Sequence, residues 1–229
     1  MSDKPILTIA LSKGRILEQT LPLLEFANLM PKENVQTTRK LMVDGPEDWA
    51  GSKVRFLIIR AADVCTYVEK GAADLGISGR DLLLEYKPHV YEPLDLKIGK
   101  CRLCVCGPKD AVEAGDALIT GGRIRVATKY DTIAEDYYRK QGVHADVIHL
   151  YGSMELAPLV GMADKIVDVV ETGNTLKANG LVEEATLFDV SSRLIANPAS
   201  FVTKKKQVQA VIDQLREAVK NREKVKESE

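Results

Sequence analysis

Short runs of β-branched residues alternate with helical segments along most of this 229-residue chain, and this alternation predicts an α/β fold with mainly parallel sheets. The apolar runs at 6–11, 54–59 and 166–170 have the length of buried strands. The composition is that of a soluble protein, with 45% hydrophobic residues, 28% charged residues and a formal net charge of −1. This charge gives no indication of binding to nucleic acid or to an anionic membrane.

The predicted elements follow in a regular order. The strand 6–11 leads into a helix at 16–28, further strands are expected at 37–43, 54–59 and 74–78, and helices are expected at 64–70 and 81–86. Two strands at 90–96 and 102–105 precede a second alternation, which has strands at 124–127, 145–150 and 166–170 and helices at 132–141 and 155–160.

The last part of the chain departs from this order. Residues 187–197 are predicted to form one strand, and residues 204 to about 223 an amphipathic helix. Three lysines at 204–206 are expected to be solvated. The apolar stripe of the helix consists of Val208, Val211, Ile212, Leu215 and Val219.

The stretch 166–180 carries the main local signal for ligand binding. A strand containing Asp168 ends near Glu171, the turn 172–175 (TGNT) follows, and a short helix runs to an Asn-Gly pair. Open N–H groups at a helix start, together with a glycine, suit a phosphate group. The two acids suit sugar hydroxyls, so the pattern predicts a ligand with a phosphate beside a ribose diol. The alternative is an ordinary strand-to-helix turn with Thr175 as the N-cap.

Cations stand near the ends of strands in the first part of the chain. Lys13 and Arg15 follow the first strand, and Arg60 follows the run 54–59. Ligands of open α/β sheets bind at the carboxyl ends of the strands, so these cations are candidates for contacts with an anion. The alternative is that they are solvated surface charges.

Cysteines and histidines offer weaker signals. Cys101, Cys104 and Cys106 are close in sequence, but they fit small buried side chains on a strand better than a zinc site. The three histidines are expected at the surface. The N-terminus lacks a signal-peptide pattern and no apolar run is long enough to span a membrane, so the cytoplasm is the expected location.

Five stretches, taken together, resemble ATP phosphoribosyltransferases, specifically the short catalytic form of histidine biosynthesis. They are 7–15 (LTIALSKGR), 59–64 (IRAADV), 71–81 (GAADLGISGRD), 152–159 (GSMELAPL) and 167–176 (VDVVETGNTL). The resemblance implies a two-domain fold like that of the type II periplasmic binding proteins, with the active site in a cleft between the domains. It implies that 1–95 and 181–229 form the first domain and 96–180 the second.

The resemblance also implies the reaction and its residues. N1 of the adenine of ATP would attack C1 of 5-phosphoribosyl 1-pyrophosphate, with release of pyrophosphate and with Mg²⁺ bound to that substrate. The residues expected to bind phosphoribosyl pyrophosphate are Asp168, Glu171, Thr172, Gly173, Asn174 and Thr175. Those expected to bind ATP are Arg39, Arg60, Ser78, Gly79 and Asp81. Those expected to act in catalysis are Lys13, Arg15 and Glu155.

One departure from the family pattern and one absence bear on these expectations. Residues 131–136 (DTIAED) stand where a more cationic run is expected, so no ligand role is assigned to that helix. The regulatory domain of longer members has no counterpart after the last helix. The resemblance therefore implies a homodimer of catalytic chains joined, in a hetero-octamer, to a regulatory subunit resembling histidyl-tRNA synthetase. The alternatives are a solute-binding protein of the same fold and a phosphoribosyltransferase with another base acceptor.

Overall fold

The computed structural model describes residues 4–113 and 123–227, and these residues form two compact units. Within these residues, unit 1 comprises 4–83, 87–99 and 191–227, and unit 2 comprises 84–86, 100–113 and 123–190. Both units are built from strands and helices in alternation, so the predicted α/β class is confirmed.

Unit 1 holds, within the described residues, a six-stranded sheet in the order β2-β3-β1-β4-β11-β5. The three strands β3, β1 and β4 are parallel, and the others run antiparallel to their neighbours. The strands are β1 (Ile6–Ser12), β2 (Met42–Asp44), β3 (Lys53–Ile59), β4 (Leu75–Gly79), β5 (Tyr91–Asp95) and β11 (Ser192–Ala196). The helices are α1 (Arg15–Phe26), α2 (Ala61–Glu69), α3 (Arg80–Tyr86), α8 (Pro198–Thr203) and α9 (Lys205–Glu227), and the last three residues of α3 belong to unit 2.

Helix α9 covers the core of unit 1, as its apolar stripe predicts. All five predicted stripe residues are at most 6% exposed and pack in one cluster with residues of the β1 and β3 strands. Contrary to the expectation that it is solvated, Lys204, which precedes the helix, is half-buried. Its Nζ donates to both carboxylate oxygens of the buried Asp74, at 2.7 and 2.8 Å, and this ion pair fixes the start of the helix against the sheet.

Unit 2 holds a five-stranded sheet within the described residues, in the order β10-β6-β9-β7-β8. The strands β9, β7 and β8 are parallel, whereas β6 runs antiparallel to both β9 and β10. The strands are β6 (Cys101–Pro108), β7 (Arg123–Thr128), β8 (His144–His149), β9 (Lys165–Val170) and β10 (Leu181–Val190). The helices are α4 (Lys109–Glu113), α5 (Asp131–Lys140), α6 (Leu156–Leu159) and α7 (Asn174–Ala178).

The boundaries of the units differ from the expected ones at 95/96 and 180/181. Residues 181–190 form β10, which pairs with β6 and so belongs to unit 2, and only the part from residue 191 onward returns to unit 1. The predicted single strand 187–197 is therefore wrong, because β10 and β11 belong to different sheets. Residues 96–99 stay in unit 1, since Leu96 and Ile98 are buried in its core.

The expected strand 37–43 is also largely wrong. Only Met42–Asp44 forms a strand, and residues 38–41 precede it as an irregular segment at the edge of the sheet. The three apolar residues 41–43 follow four polar ones, and so short an apolar run does not locate the start of an edge strand.

Candidate active site

The carboxyl ends of β9, β7 and β8 share one edge of the unit 2 sheet because these strands are parallel. Thr128, the last residue of β7, lies opposite Val167 on one side and His149 on the other. The turn after β9, Lys129 and the segment 150–155 consequently gather at this edge. This is the edge at which open α/β sheets bind ligands.

The turn after β9 leaves the start of α7 without a side-chain cap. Gly173 is the N-cap, with φ +75° and ψ 6°, a left-handed conformation that favours glycine. Thr175 is the second residue of the helix, so its expected alternative role as N-cap is wrong. The hydroxyl of Thr172 accepts a long hydrogen bond of 3.4 Å from the N–H of Asn174. Because α7 has only five residues, a phosphate would depend on local N–H groups and hydroxyls more than on the helix dipole.

The two acids beside this turn differ in their environment. Asp168 lies within β9, its side chain is 20% exposed, and Lys129 Nζ lies 3.9 Å from its Oδ1. Glu171 is the first residue of the turn and is exposed. Sequence analysis missed Lys129, which follows β7 and also lies 4.9 Å from the centre of the Tyr130 ring. Lys129 reaches Asp168 because β7 pairs with β9 in the sheet.

Arg102 and Glu183 support the same turn, and neither was predicted as a site residue. Arg102 Nε donates to Glu183 Oε2 at 2.7 Å, and its Nη1 donates to the backbone carbonyl of Glu171 at 3.2 Å. The hydrogen bond from Arg102 holds the pKa of the Glu183 carboxyl below its usual value, and the same bond raises the pKa of Arg102. Both side chains are thus charged at neutral pH.

Glu155 lies at the same edge of unit 2, after β8. It is half-buried and is the N-cap residue of α6, with Gly152 and Ser153 exposed just before it. Ser153 has φ +54°, which places a tight turn between the strand and the helix. The structure therefore brings Glu155 to the edge that carries the turn after β9.

The parallel strands of unit 1 bring three predicted site residues to one edge of its sheet. Ser12 and Ile59 lie opposite each other at the ends of β1 and β3, and Lys13 and Arg60 come directly after them. Asp81 follows the end of β4, the other neighbour of β1. Lys13 and Arg60 are both exposed, as a contact with a ligand requires.

The irregular segment before β2 joins this edge. Lys13 Nζ donates to the carbonyl of Thr38 at 2.7 Å, and this hydrogen bond brings the exposed Arg39 next to Lys13 in the fold. Arg15 is the first residue of α1 and is exposed. The predicted cations therefore follow neighbouring strand ends of unit 1 or lie on the segment that Lys13 contacts.

Ser78 and Gly79 lie behind this edge of unit 1. Ser78 is 2% exposed and its hydroxyl lies 3.2 Å from the Cys65 thiol, so its side chain faces the interior of unit 1. Gly79 is buried, and a Cβ there would collide with Asp81 Oδ1. Gly79 thus gives the Asp81 carboxylate room to fold back over the end of β4.

The cysteines of β6 and the three histidines lie where the sequence predicts, in a buried strand and at the surface respectively. Cys104 and Cys106 are buried in β6, and burial raises the pKa of both thiols. All three histidines are exposed, and His149 Nδ1 lies 2.8 Å from a carboxylate oxygen of Asp131. In the part of the chain that the structure describes, no group of three or more His, Cys, Asp or Glu residues is arranged to hold a metal ion. Over the same residues, no helix has the length and apolar character to cross a membrane.

The fold is that of an α/β protein of the type II periplasmic-binding-protein class. A periplasmic sulfonate-binding protein from Methylobacillus flagellatus KT, 13% identical, shares the fold with a TM-score of 0.59 over 95% of this chain and 69% of that one. A substrate-binding protein of an amino acid ABC transporter, also 13% identical, gives a TM-score of 0.57 over 97% and 95%. At this identity the likeness shows the fold alone.

The chain belongs to the ATP phosphoribosyltransferase family. The family described as HisG: ATP phosphoribosyltransferase matches residues 60–217. ATP phosphoribosyltransferases of Pseudomonas syringae pv. syringae (strain B728a) and Pseudomonas fluorescens (strain SBW25) are each 54% identical, over 95% of this chain and 99% of theirs. The ATP phosphoribosyl transferase (HisG:HisZ) complex from Thermotoga maritima is 31% identical, with a TM-score of 0.79 over 94% of this chain and 99% of that one.

Proposed function

We infer that this protein is an ATP phosphoribosyltransferase, which joins N1 of the adenine of ATP to C1 of 5-phosphoribosyl 1-pyrophosphate and releases pyrophosphate. This transfer of a pentosyl group is the first step of histidine biosynthesis. The observation that carries the inference is the 54% identity to enzymes of this name over 95% of the chain. Four of the five sequence stretches that carry the resemblance run across a strand end, and the stretch 152–159 covers the turn after β8 and helix α6.

We propose that the turn after β9 binds the phosphoribosyl part of the substrate. The uncapped start of α7 supports this role, because its N–H groups and the hydroxyls of Thr172 and Thr175 are suitable donors to the 5-phosphate. Asp168 and Glu171 would accept hydrogen bonds from the ribose hydroxyls. Asn174, whose N–H already contacts Thr172, would complete the turn.

The cations of unit 1 are proposed to bind polyphosphate groups. Arg39 and Arg60 would bind ATP, and Lys13 and Arg15 would contact the pyrophosphate that departs. The hydrogen bond from Lys13 to the Thr38 carbonyl supports this assignment, since it holds the segment with Arg39 at the strand end where Arg60 also lies. The four exposed cations create a positive potential suited to an anionic ligand.

Asp81, Gly79 and Glu155 are proposed to complete the site. Asp81 is partly exposed at the end of β4, so it could accept a hydrogen bond from ATP, with Gly79 giving it room. Ser78 is proposed to support this turn from inside rather than to touch ATP, since it is buried against Cys65. Glu155 is proposed as a catalytic residue because it lies at the same edge of the unit 2 sheet as the turn after β9.

The proposed chemistry is electrostatic. As the bond from C1 to pyrophosphate breaks, positive character develops on the ribose and negative charge on the leaving group. Fixed cations near the pyrophosphate lower this barrier, and carboxylates near the ribose favour the positive sugar. Mg²⁺ would enter bound to phosphoribosyl pyrophosphate. Positioning of the two substrates supplies the rest.

A regulatory partner is part of the proposal. The Thermotoga maritima structure is described as a HisG:HisZ complex, and its 31% identity over nearly the whole of both chains supports a comparable partner here. We propose a homodimer of catalytic chains joined to a regulatory subunit resembling histidyl-tRNA synthetase, in a hetero-octamer. The cytoplasm is the proposed location, where such a biosynthetic enzyme meets ATP.

The experiment is incubation of the purified chain with ATP, phosphoribosyl pyrophosphate and Mg²⁺, followed by ultraviolet detection of phosphoribosyl-ATP. Product is expected only when all components are present. Parallel reactions with other bases in place of ATP separate this activity from another phosphoribosyltransferase. Binding of one ligand without any product would instead indicate a solute-binding protein.

A further inference from the structure

A three-part contact connects β6 and β10 to the turn after β9. Arg102 of β6 donates from Nε and Nη2 to the two carboxylate oxygens of Glu183, and from Nη1 to the carbonyl of Glu171 at 3.2 Å. Arg102 lies opposite Val170, the last residue of β9, so its side chain reaches the first residue of the turn. One guanidinium therefore connects an acid on the edge strand β10 to the backbone of the turn.

Glu183 reaches this place because β10 is irregular. The pairing of β10 with β6 shifts between Glu183 and Ala185, and such a bulge redirects the neighbouring side chains. The carboxylate also accepts a hydrogen bond from the Cys104 thiol at 3.4 Å. A Cβ at Gly173 would lie 3.5 Å from Glu183 Oε1, so the same carboxylate is in contact range of the glycine of the turn.

We propose that Arg102 and Glu183 are positioning residues for phosphoribosyl pyrophosphate. They hold the carbonyl of Glu171 and thereby keep Thr172 and Gly173 in the phosphate-binding conformation before the substrate arrives. The charge of Arg102 is balanced by the bidentate pair, so it acts through the backbone of the turn and does not serve as a phosphate ligand. This inference rests on the proposed function.

Preorganisation gives the inference a measurable consequence. A turn that must be ordered at the moment of binding lowers the affinity for the substrate, and here only the substrate bound by that turn is affected. Loss of a charge-assisted hydrogen bond to the turn corresponds to about a tenfold change in affinity. Arg102→Ala is therefore expected to raise KM for phosphoribosyl pyrophosphate about tenfold and to change KM for ATP less than about twofold.

The chain offers a matched control in Arg125. Arg125 of β7 donates from Nε and Nη2 to Asp164 and from Nη1 to the carbonyl of Gly161 at 2.8 Å, which is the same three-part pattern. Asp164 directly precedes β9, so this contact lies at the amino end of the strand, away from the turn. Arg125→Ala should leave both KM values unchanged.

Two further variants separate positioning from general stability. Arg102→Lys keeps the charge but lacks the planar fork, so it should restore little of the lost affinity. Arg102→Ala combined with Glu183→Gln should raise KM no more than Arg102→Ala alone, because the two residues act as one unit. If Arg102→Ala does not fold, Glu183→Gln alone takes its place, with a rise in KM for phosphoribosyl pyrophosphate as the expected result.

Hydrogen exchange supplies a readout independent of activity. In the substrate-free protein, amides of residues 172–176 should exchange faster in Arg102→Ala than in the parent and stay unchanged in Arg125→Ala. Equal exchange and equal KM values in the two variants would overturn the inference. If the parent itself forms no phosphoribosyl-ATP, the proposed function fails, and hydrogen exchange alone then decides whether the contact orders the turn.

Discussion

Replacement of Gly173 by alanine tests the phosphate-binding turn at the residue on which its backbone depends. Gly173 has φ +75°, and the nearest atoms to an added Cβ are Glu183 Oε1 at 3.5 Å and Val170 Cγ1 at 3.9 Å. These are ordinary contact distances, so the methyl group fits. The cost is in the backbone, because a left-handed conformation is about 1 kcal/mol less favourable for alanine than for glycine.

This cost predicts two measurable effects. If the turn keeps its conformation, the melting temperature falls by about 2–4 °C for a chain of this size. If the turn relaxes, the fraction of molecules competent to bind the phosphate falls, and KM for phosphoribosyl pyrophosphate rises by up to about fivefold. KM for ATP should stay within about twofold of the parent value, since the proposed ATP residues lie elsewhere.

Gly142→Ala is the matched control, because Gly142 has φ +74° and no atom lies within 4 Å of an added Cβ. It follows α5, before β8 begins, and so lies away from the functional edge. Steady-state kinetics and thermal unfolding of both variants decide the matter. An unchanged melting temperature in Gly173→Ala would mean that the turn has relaxed, and an unchanged KM for phosphoribosyl pyrophosphate in that case would refute the assignment of the turn.

Three further variants address other parts of the account. Lys13→Met should lower kcat about tenfold, because it removes a cation proposed to contact the departing pyrophosphate, and should also raise KM for ATP, because it removes the hydrogen bond to the segment that carries Arg39; steady-state kinetics would show both. Asp74→Asn should lower the free energy of unfolding in urea by about 2–3 kcal/mol with both KM values unchanged, because it leaves Lys204 without its buried partner. Glu183→Gln should be less stable than the parent at pH 7. The pKa of Glu183 is lowered by Arg102, so its stabilising contribution is present above the usual glutamate pKa and is lost as pH falls through the lowered value. The two proteins should therefore converge in stability in acid, and equal stability at pH 7 would contradict this.

Sequence predicted best where one periodic pattern decides the structure. The stripe of α9 is set by helical spacing alone, and all five of its residues are buried as expected. The strand ends with Lys13 and Arg60 were also predictable, because alternating strands and helices imply parallel strands with a common edge. Five motifs in order then identified the family.

The predictions of strands and site residues were wrong or incomplete where pairing between residues far apart in the sequence decides the structure. The two register shifts in β10 interrupt its period-two pattern, so the strand was not recognised before residue 187. Arg102 and Glu183 are 81 residues apart, and Lys129 and Asp168 meet only because β7 and β9 are neighbours. No local pattern indicates such partners. Ser78 was assigned from its motif, whereas the direction of its side chain follows from packing against Cys65.

A crystal structure of the protein with Mg²⁺ and phosphoribosyl pyrophosphate tests the central claim most directly. The account predicts the 5-phosphate within hydrogen-bond distance of the N–H groups and hydroxyls of residues 172–175, with the ribose hydroxyls beside Asp168 and Glu171. A phosphoribosyl group bound at another strand end, such as the turn before α3, with the 172–175 turn contacting nothing, would contradict it.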